Sequence, residues 1–385
     1  MLVSVIILNY NVQYFLELCL QSVQQAIQGL DAEIIVVDNN SKDESCQMVR
    51  EKFPDVKLIV NNENLGFPKG NNIGVSQAKG EYLYILNPDT VIAEDTIKKL
   101  LEFCKETKNL GIVGCKMIDG KGKFLPESKR GVPTPWVAFT KIFGLYKIFP
   151  KWKLFNQYYL NHIPEKRTYK VDVLTGANMF LKRSLYLKVG GFDEGCFMYS
   201  DDIDLSYTVK QLGLHNYYFA DTTIIHYKGE STVKDALYMD RFREAMQFFY
   251  RKHFRASSFF DVMMRVGTFV FVLFKPKGEK QKYFPDEYVV ASSKIVLQQK
   301  ISDFFKKNTI TITKIDENKL FSQLISTQRK VEVVFDKEYY TYKEIIETMQ
   351  KQQKKLITYK IKPQNSNFII GSNSSNDRGE VIEVQ

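Results

Sequence analysis

The chain has 385 residues, enough for one large domain with an appendage or for two domains. Its hydrophobic content of 44% is ordinary for a globular protein, and its net charge of +10 favours anionic partners, namely phosphorylated substrates, nucleic acid or an acidic membrane surface. No segment approaches the roughly 20 apolar residues that span a bilayer, since the longest candidate, 259–274, is interrupted by Asp261 and Arg265. We therefore expect a soluble or surface-associated protein, not an integral one.

The cysteines and the apolar start indicate the compartment. Five cysteines form no C-x-x-C pair and leave an odd number, which does not suit a disulfide framework. The start, 1–8, runs directly into Asn9 and is too short for the apolar core of a secretory signal. We expect a reduced, cytoplasmic setting, with peripheral contact at the inner face of the plasma membrane as its extension.

The first 117 residues alternate short apolar strands with helical patterns. This alternation predicts an α/β fold with a doubly wound, mainly parallel sheet that helices cover on both faces. The predicted strands are 3–8, 33–37, 56–60, 82–86 and 112–117, and the predicted helices are 12–28, 43–53, 67–78 and 95–105.

The middle of the chain has a different composition. Between residues 116 and 170, twelve basic residues face three acidic ones, and aromatic residues recur at steps of three or four from Trp136 to Trp152. A strand-like pattern resumes over 171–182, and 235–253 has the pattern of a long amphipathic helix.

The last third predicts a separate small unit. Residues 256–286 combine an amphipathic segment with a charged linker that contains two prolines. Residues 287–385 then predict a small α/β, Rossmann-like domain, for which a scaffolding or partner-binding role is the default. Its predicted strands are 309–315, 331–335 and 368–370, and its predicted helices are 318–328 and 341–355.

Polar clusters follow three of the predicted strands. Asn9–Asn11 follow the first strand, Asp38–Ser41 the second and Asn87–Asp89 the fourth. Ligands of open α/β sheets bind outside the carboxyl ends of the strands, so Asp89 is expected where a metal ion or a phosphate would lie. Helix capping and turn formation explain any one cluster alone, but three on one edge favour a ligand site. A planar base could stack on Tyr10 there.

Three further features add to that edge. The glycine- and asparagine-rich stretch 64–74 enters the third helix, where the backbone can approach a phosphate, although its spacing matches no nucleotide fingerprint. Residues 200–205 hold three carboxylates in four positions. The dipole at a helix N-terminus favours acidic residues there, which explains one or two of the three. The more specific hypothesis is that one of the three carboxylates acts as a general base. His226 ends a β-branched run and is a candidate metal ligand beside Asp89.

Residues 3–250 resemble the inverting, GT-A-fold glycosyltransferases of family 2, and look most like the bacterial rhamnosyltransferase-type branch. The resemblance rests on short motifs whose order and spacing match together over about two thirds of the chain. These motifs are Val5–Asn11, Val36–Ser41, Asn64–Phe67 with Asn72–Gly74, Leu86–Thr90, Leu174–Asn178, Gly191–Glu194, Tyr199–Leu205 and His226–Thr232.

The resemblance implies a GT-A domain over 1–255, with the donor site in 1–117 and the acceptor side in 118–255. The donor is expected to be a nucleotide-diphosphate sugar, rhamnose being favoured by the branch, and the acceptor a glycan or a lipid-linked glycan in cell-surface polysaccharide synthesis. The implied nucleotide- and donor-binding residues are Tyr10, Asn11, Asp38, Asn40, Asn64, Gly66, Asn72 and Asn87. The implied acceptor-side residues are Gly176, Ala177, Asp201 and Asp204.

The resemblance also implies the metal site and the base. Asp89 matches the last carboxylate of the family's D-x-D element, which binds Mg²⁺ or Mn²⁺, while Asn87 stands where many members carry the first Asp. His226 matches a histidine that completes the metal site in some relatives. Asp202 matches the second acid of the E/D-D-x-D element and is expected to be the catalytic base, with Asp201 in place of the commoner Glu.

Two interpretations of the basic, aromatic region 116–170 remain open. It forms either an amphipathic helix pair with solvated lysines or a surface that meets a lipid-linked acceptor at a membrane.

The alternative functions require different sequence features. A processive polysaccharide synthase would carry transmembrane helices and a Gln-x-x-Arg-Trp element, and a nucleotidyltransferase would carry a glycine- and arginine-rich first loop. A non-catalytic sugar-nucleotide-binding module would not need to keep Asp89, Asp202 and His226. Only the net charge suggests a nucleic-acid partner, and no nucleic-acid-binding motif accompanies it. We therefore expect no nucleic-acid partner. The oligomeric state is left open.

Overall fold

The computed structural model describes residues 1–149, 152–228, 236–254, 284–307, 309–312, 329–353, 356–373 and 379–384. The predicted helix 318–328 and the amphipathic segment and linker up to residue 283 lie outside the described residues. Among the described residues, no helix combines the length and the apolarity needed to cross a membrane.

The first unit confirms the predicted alternation of strands and helices. Its strands are β1 Val3–Asn9, β2 Ala32–Asp38, β3 Lys57–Val60, β4 Tyr82–Leu86, β5 Thr90–Val91, β6 Leu110–Ile118, β7 Tyr169–Val171, β8 Asn178–Lys182 and β9 His215–His226. Its helices are α1 Gln13–Ala26, α2 Ser45–Lys52, α3 Gly66–Ser76, α4 Thr96–Glu106, α5 Pro135–Ile142, α6 Leu145–Ile148, α7 Arg183–Lys188, α8 Asp201–Gln211 and α9 Ala236–His253.

The strands form one sheet in the order β3-β2-β1-β4-β8-β6-β9-β5, with β7 beside β9. The half formed by β3, β2, β1 and β4 is parallel. β8 runs antiparallel to both of its neighbours, β4 and β6. The single strand pattern predicted over 171–182 is therefore wrong in detail, because a loop at 172–177 separates β7 from β8.

Both faces of this sheet are covered by apolar side chains. In β1, Val3, Val5 and Ile7 belong to one buried cluster, while Ile6 belongs to a second cluster on the other face. This alternation follows from the two-residue period of a strand, and a sheet that helices cover on both sides buries both sets. The sheet is thus rigid where its strands end and the polar clusters begin.

The C-terminal unit is a second α/β sheet with the order β11-β10-β12-β13-β14-β15. β10 to β13 are parallel to one another, and β14 and β15 complete the sheet in antiparallel fashion. Sequence patterns missed β10, β13, β15 and the helix after β10. The elements are β10 Glu287–Ala291, α10 Ile295–Phe305, β11 Thr309–Ile312, β12 Val331–Asp336, α11 Tyr342–Lys351, β13 Ile357–Lys362, β14 Phe368–Gly371 and β15 Glu380–Glu383.

The two units share an apolar core. Phe15 and Tyr227 of the first unit lie in the same buried cluster as Tyr342 and Met349 of the second. Tyr14 also packs edge-on against Phe368, with ring centroids 4.8 Å apart. The C-terminal unit therefore covers apolar side chains of the first unit that would otherwise face water.

A carboxylate of the first unit caps a helix of the second. Glu94, at the end of the loop after β5, accepts hydrogen bonds from the backbone N–H groups of Tyr342 and Lys343, at 2.8 and 2.9 Å. These amides begin α11, where the N–H groups have no partner within the helix and the helix dipole favours a negative charge. Lys343 also pairs with the neighbouring Asp95 at 2.6 Å. Glu94 is thus a polar clamp beside the apolar contact.

We predict that Glu94→Ala destabilises the whole chain. The change leaves two N–H groups of α11 without their charged acceptor, which costs about 1.5–3 kcal/mol for hydrogen bonds of this type. Urea unfolding followed by circular dichroism measures the loss. Glu106→Ala, at an exposed position of α4, is the control. Equal midpoints for the two variants would show that the clamp contributes nothing.

Candidate active site

The ends of β1 and β2 are joined by a polar network. Asn9 donates to Asp38 Oδ2 at 2.8 Å and to Ser41 Oγ at 3.1 Å. Asp38 Oδ1 accepts from the Ser41 N–H at 2.8 Å, and Ser41 Oγ accepts from the Asn11 N–H at 2.9 Å. Asn11 and Asn40 both have positive φ, at 55° and 63°, a conformation that Asn tolerates better than most residues. The two predicted clusters therefore form one loop assembly, with the half-buried Tyr10 within it.

Asn39 links this assembly to the glycine-rich stretch. Its side-chain nitrogen donates to Asn64 Oδ1 at 3.3 Å and to the Gly66 carbonyl at 3.1 Å, while its oxygen accepts from Asn61 at 2.8 Å. Asn64 Oδ1 in turn accepts the Gly66 N–H at 3.1 Å. Sequence reasoning quoted Asn39 within a motif but assigned it no role, because nothing in the pattern shows that it reaches two loops.

Gly66 and Asn72 connect the donor half to the region before α8. Gly66 has a φ of +82°, and a Cβ there would lie 2.6 Å from the Phe197 carbonyl oxygen, so only glycine fits. The Asn72 amide nitrogen donates to the Phe192 carbonyl and to Glu194, each at 2.9 Å, and its oxygen accepts from Tyr186 at 2.5 Å. Asn72 therefore ties α3 to the loop at 186–194.

Asp89 and His226 lie side by side, as predicted from their strand ends. The short strand β5 pairs antiparallel with β9, which sets Thr90 opposite His226. His226 Nε2 lies 3.3 Å from Asp89 Oδ1, and both side chains are buried. Asp89 Oδ1 and His226 Nδ1 have no hydrogen-bond partner among the described residues. Two unpartnered buried ligand atoms are the chemistry expected of an incomplete metal site.

The predicted acceptor-side loop connects this pair to Asp202. The Asn87 N–H donates to the Ala177 carbonyl at 3.1 Å, next to Asp89 in sequence. The adjoining Gly176 N–H donates to Asp202 Oδ2 at 3.2 Å. Two consecutive residues of one loop thus contact the strand end that carries Asp89 and the carboxylate that was predicted to be the base.

Arg130 holds Asp202 and was missed by sequence reasoning. Its guanidinium donates to Asp202 Oδ2 and, at 2.7 Å, to the Leu174 carbonyl. Burial disfavours the charged guanidinium, but the charges of Asp202 and of Tyr158 raise the pKa of Arg130, so it stays positive. Asp202 Oδ1 is left without a hydrogen-bond partner among the described residues. Arg130 sits in a basic run 72 residues before Asp202, and no pattern signals the pairing.

Asp201 and Asp204 occupy different surroundings from Asp202. Burial first, and repulsion from Asp202 second, raise the pKa of Asp201 to about 7. Asp204 contacts α9 instead, through Lys252 at 2.9 Å and His253 at 2.5 Å. The three acids of the first turn of α8 thus comprise one with a raised pKa, one held by Arg130 and one that anchors a neighbouring helix.

The 176–177 loop contacts two regions with different chemistry. Asp89 and His226 offer oxygen and nitrogen ligands for a cation. Asp202 offers a carboxylate oxygen that has no hydrogen-bond partner among the described residues.

The sequence model of the family described as glycosyl transferase family 2 matches residues 4–204. The match covers more than half of the chain. The match includes every predicted site residue except His226.

Curated relatives agree with this match. The N-acetylglucosaminyl-diphospho-decaprenol L-rhamnosyltransferase of Mycobacterium tuberculosis is 25% identical over 242 residues, which cover 60% of this chain and 78% of the relative. A rhamnosyltransferase of Escherichia coli K12 is 27% identical over 42% of this chain and 61% of its own length. The poly(ribitol-phosphate) beta-glucosyltransferase of Bacillus spizizenii is 28% identical over 70% of this chain, which spans 42% of that relative.

This chain is also similar to solved structures, two of which follow. The mannosyltransferase of Pyrobaculum calidifontis in complex with GDP-Man and Mn²⁺ is 18% identical, with a TM-score of 0.46 over 72% of this chain and 76% of that one. Residues 1–349 of S. aureus TarS in complex with UDP-GlcNAc are 19% identical, with a TM-score of 0.46 over 71% and 73% of the two chains.

The observed α/β order and the family match confirm the GT-A-type fold and the family that the motifs predicted. With rhamnosyltransferases among its relatives, the chain belongs to glycosyl transferase family 2.

Proposed function

We propose that this protein transfers a sugar from a nucleotide-diphosphate sugar to a hydroxyl group of a glycan or lipid-linked glycan, with inversion at the anomeric carbon and one sugar per encounter. The observation that carries the proposal is the 176–177 loop, whose N–H and carbonyl contact Asp202 on one side and the Asn87 backbone on the other. A leaving-group site and a base that one loop holds together suit a single displacement.

The residues at the end of β4 fit a divalent cation, Mg²⁺ or Mn²⁺. Asp89 and His226 would hold it, because each carries a buried ligand atom without a hydrogen-bond partner. No group of three or more His, Cys, Asp or Glu with metal-binding geometry occurs among the described residues, so diphosphate oxygens would complete the coordination. When bound, such an ion neutralises negative charge on the departing diphosphate.

Asp202 would accept the proton of the acceptor hydroxyl. Its Oδ2 is already occupied by Arg130 and by the Gly176 N–H, which fixes the plane of the carboxylate. The remaining oxygen, Oδ1, is directed by the same contacts and stays open for the substrate proton. Proton transfer to a positioned carboxylate as the hydroxyl attacks is ordinary general base catalysis.

The donor side is supported by the loops at the ends of β1 and β2. The Asn9–Asp38–Ser41 network would hold the base and ribose of the nucleotide, with Tyr10 stacking on the base. The named relatives transfer rhamnose and glucose, and the solved structures hold GDP-mannose and UDP-GlcNAc. Rhamnose remains the sugar favoured by the branch, and a cell-surface glycan the favoured product.

We predict that Asp202→Asn abolishes sugar transfer while donor binding survives. A thermal-shift screen of nucleotide sugars with Mn²⁺ identifies the donor by the rise in melting temperature. With that donor, the variant should show the same shift but lose at least about 10²-fold in turnover, because the amide cannot take the proton.

Asp221→Asn, an exposed aspartate of β9, is the control and should turn over normally. Turnover retained in Asp202→Asn would refute the base assignment. Absence of any shift across all nucleotide sugars would refute the transferase proposal itself.

Asp89→Asn and His226→Ala should each weaken Mn²⁺ binding in the presence of the donor diphosphate, since each removes one of two protein ligands. Electron paramagnetic resonance of free Mn²⁺ measures the affinity directly, and EDTA should stop turnover of the unmodified protein. His215→Ala, at the other end of the same strand, is the matched control. Metal-independent turnover, or unchanged affinity in both variants, would contradict the site.

The raised pKa of Asp201 predicts a pH-dependent stability. Between its unfolded value, 3.8, and about 7, the folded chain keeps the proton that the unfolded chain releases, so this contribution to stability is lost as the pH rises through that window. The slope is up to about 1.4 kcal/mol per pH unit. Urea midpoints at about pH 5 and about pH 8 should therefore fall more in the unmodified protein than in Asp201→Asn. Parallel pH dependence in both proteins would show that Asp201 ionises normally.

A further inference from the structure

Large apolar side chains are exposed over one continuous region of the acceptor side. They lie on α5, on α6 and in the turn that follows residue 151. Their exposed fractions run from 38% to 65%, well above those of core residues. We call this region the aromatic surface, and its members are Trp136 (42%), Phe143 (38%), Ile148 (65%), Phe149 (38%), Trp152 (61%) and Leu154 (52%).

Ring contacts hold the aromatic surface together. Phe155 stacks on Trp152 and Phe149, with ring centroids 6.0 and 5.1 Å apart, and packs at a tilt against Trp136 at 6.0 Å. The Trp136 indole N–H also donates to the Leu154 carbonyl at 3.2 Å. These contacts fix exposed rings in place, which makes the region a preformed patch. Patches of this kind on a protein surface mark interaction sites.

The segment that carries the aromatic surface contains basic residues but no acidic ones. Residues 128–164 contain six Lys or Arg and no Asp or Glu. Two of the six, Lys129 and Arg130, are buried and bind internal groups, so not every basic residue of this region is solvated. Lys147 and Lys153 remain on the outer side, beside the exposed rings. A surface without acids favours a partner with negative charge.

A cavity of about 450 Å³ adjoins the aromatic surface. The two share α5 and the segment around Lys153, and the far wall is formed by Tyr207 and Lys210 of α8. Lys170 adds a further basic group and His162 an imidazole, and Asp172, which pairs with Lys210, is the acid of the lining. Apolar side chains, among them Val132, Val137, Leu160 and Ile163, line the rest.

The electrostatics of the cavity agree with its composition. Burial lowers the pKa of His162, and the neighbouring charges of Lys153 and Lys129 lower it further. A basic rim over apolar walls suits an amphiphile that carries a phosphate group next to a hydrocarbon chain.

Three side chains in contact with one another lead from α5 to Asp202. The ammonium group of Lys141, on α5, lies 3.5 Å from the ring centroid of Tyr158. Tyr158 is buried beside Arg130, and Lys141 and Arg130 together lower its pKa against the opposing effect of burial. Arg130 then contacts Asp202. α5, which carries Trp136 of the aromatic surface, is therefore connected to Asp202 through these contacts.

We propose that the aromatic surface lies in the headgroup region of an anionic bilayer and that the adjoining cavity receives the phosphate head of a lipid. Tryptophan and lysine together are the residues that suit this region, since indole rings sit at the headgroup level and lysines meet anionic lipids. The inference deepens the proposed function, because it brings a lipid-linked acceptor to Asp202.

Tryptophan fluorescence tests the proposal without any sugar nucleotide. The chain contains two tryptophans, Trp136 and Trp152, and both belong to the aromatic surface. Phosphatidylcholine vesicles that contain phosphatidylglycerol should shift the emission of the full chain to the blue, and lipids brominated on the acyl chain should quench it. Vesicles of phosphatidylcholine alone should give a much smaller change.

Two pairs of variants assign the effect to this surface. Ile148→Glu with Leu154→Glu should abolish the blue shift, whereas Leu187→Glu with Leu212→Glu, which alters similarly exposed leucines elsewhere, should leave it unchanged. Lys147→Glu with Lys153→Glu should weaken vesicle binding by roughly tenfold or more. Lys105→Glu with Lys188→Glu, at exposed sites on α4 and α7, is the matched control.

Further measurements distinguish a lipid from other ligands of the aromatic surface and the cavity. Inorganic diphosphate should not reproduce the blue shift. It should compete at the cavity and reduce vesicle binding in the unmodified protein but not in Lys153→Glu with Lys170→Glu. No shift with anionic vesicles, or a shift that survives in Ile148→Glu with Leu154→Glu, would overturn the proposal. Concentration-dependent dimers that this same double variant abolishes would instead assign the surface to a second copy of the chain.

Failure of this test is distinct from failure of the proposed transferase activity. Vesicle binding needs neither donor nor base, and Asp202→Asn should bind vesicles as the unmodified protein does.

Discussion

The antiparallel insertion of β8 between β4 and β6 is the constraint on which the candidate active site depends. β4 ends at the sheet edge where Asn87 and Asp89 follow, and the pairing of Leu86 with Asn178 brings the loop before β8 to that same edge. The Gly176–Ala177 loop can then contact the Asn87 backbone and Asp202 at once. In a wholly parallel sheet the chain would enter β8 from the opposite edge, and this loop would not reach the end of β4.

The acids of α8 illustrate how one sequence motif yields three chemical environments. Asp201 is sealed from water and has a raised pKa, Asp202 is oriented by a buried guanidinium, and Asp204 is paired with two basic residues of α9. Charge that would be repulsive in an isolated helical turn is thus divided among separate partners. Arg130 is central to this division, because it compensates Asp202 without occupying both of its oxygens.

The C-terminal unit supports the sheet edge that carries Asp89 and His226. The loop that follows Asp89 passes through β5 and reaches Glu94, which caps α11 of the second unit. Val91 and Tyr227, neighbours in sequence of Asp89 and His226, lie in the apolar core that both units share. The strand pair that sets Asp89 beside His226 is therefore supported from the side that faces away from the first sheet's own core.

The sequence by itself determined the strand–helix alternation of the first unit, the family, and the polar clusters at the ends of β1, β2 and β4. These depend on local periodicity and on short motifs, which the order of residues records directly. Tertiary structure decided the pairing of β5 with β9, the role of Asn39 as a link between loops, the contact of Arg130 with Asp202 and the shared core with the C-terminal unit. It also decided which residues of the basic region are buried, as Lys129 is, and which are exposed, as Trp152 is. Such contacts join residues that are tens to hundreds of positions apart, so they depend on which surfaces meet when the chain packs, and no local pattern encodes that choice.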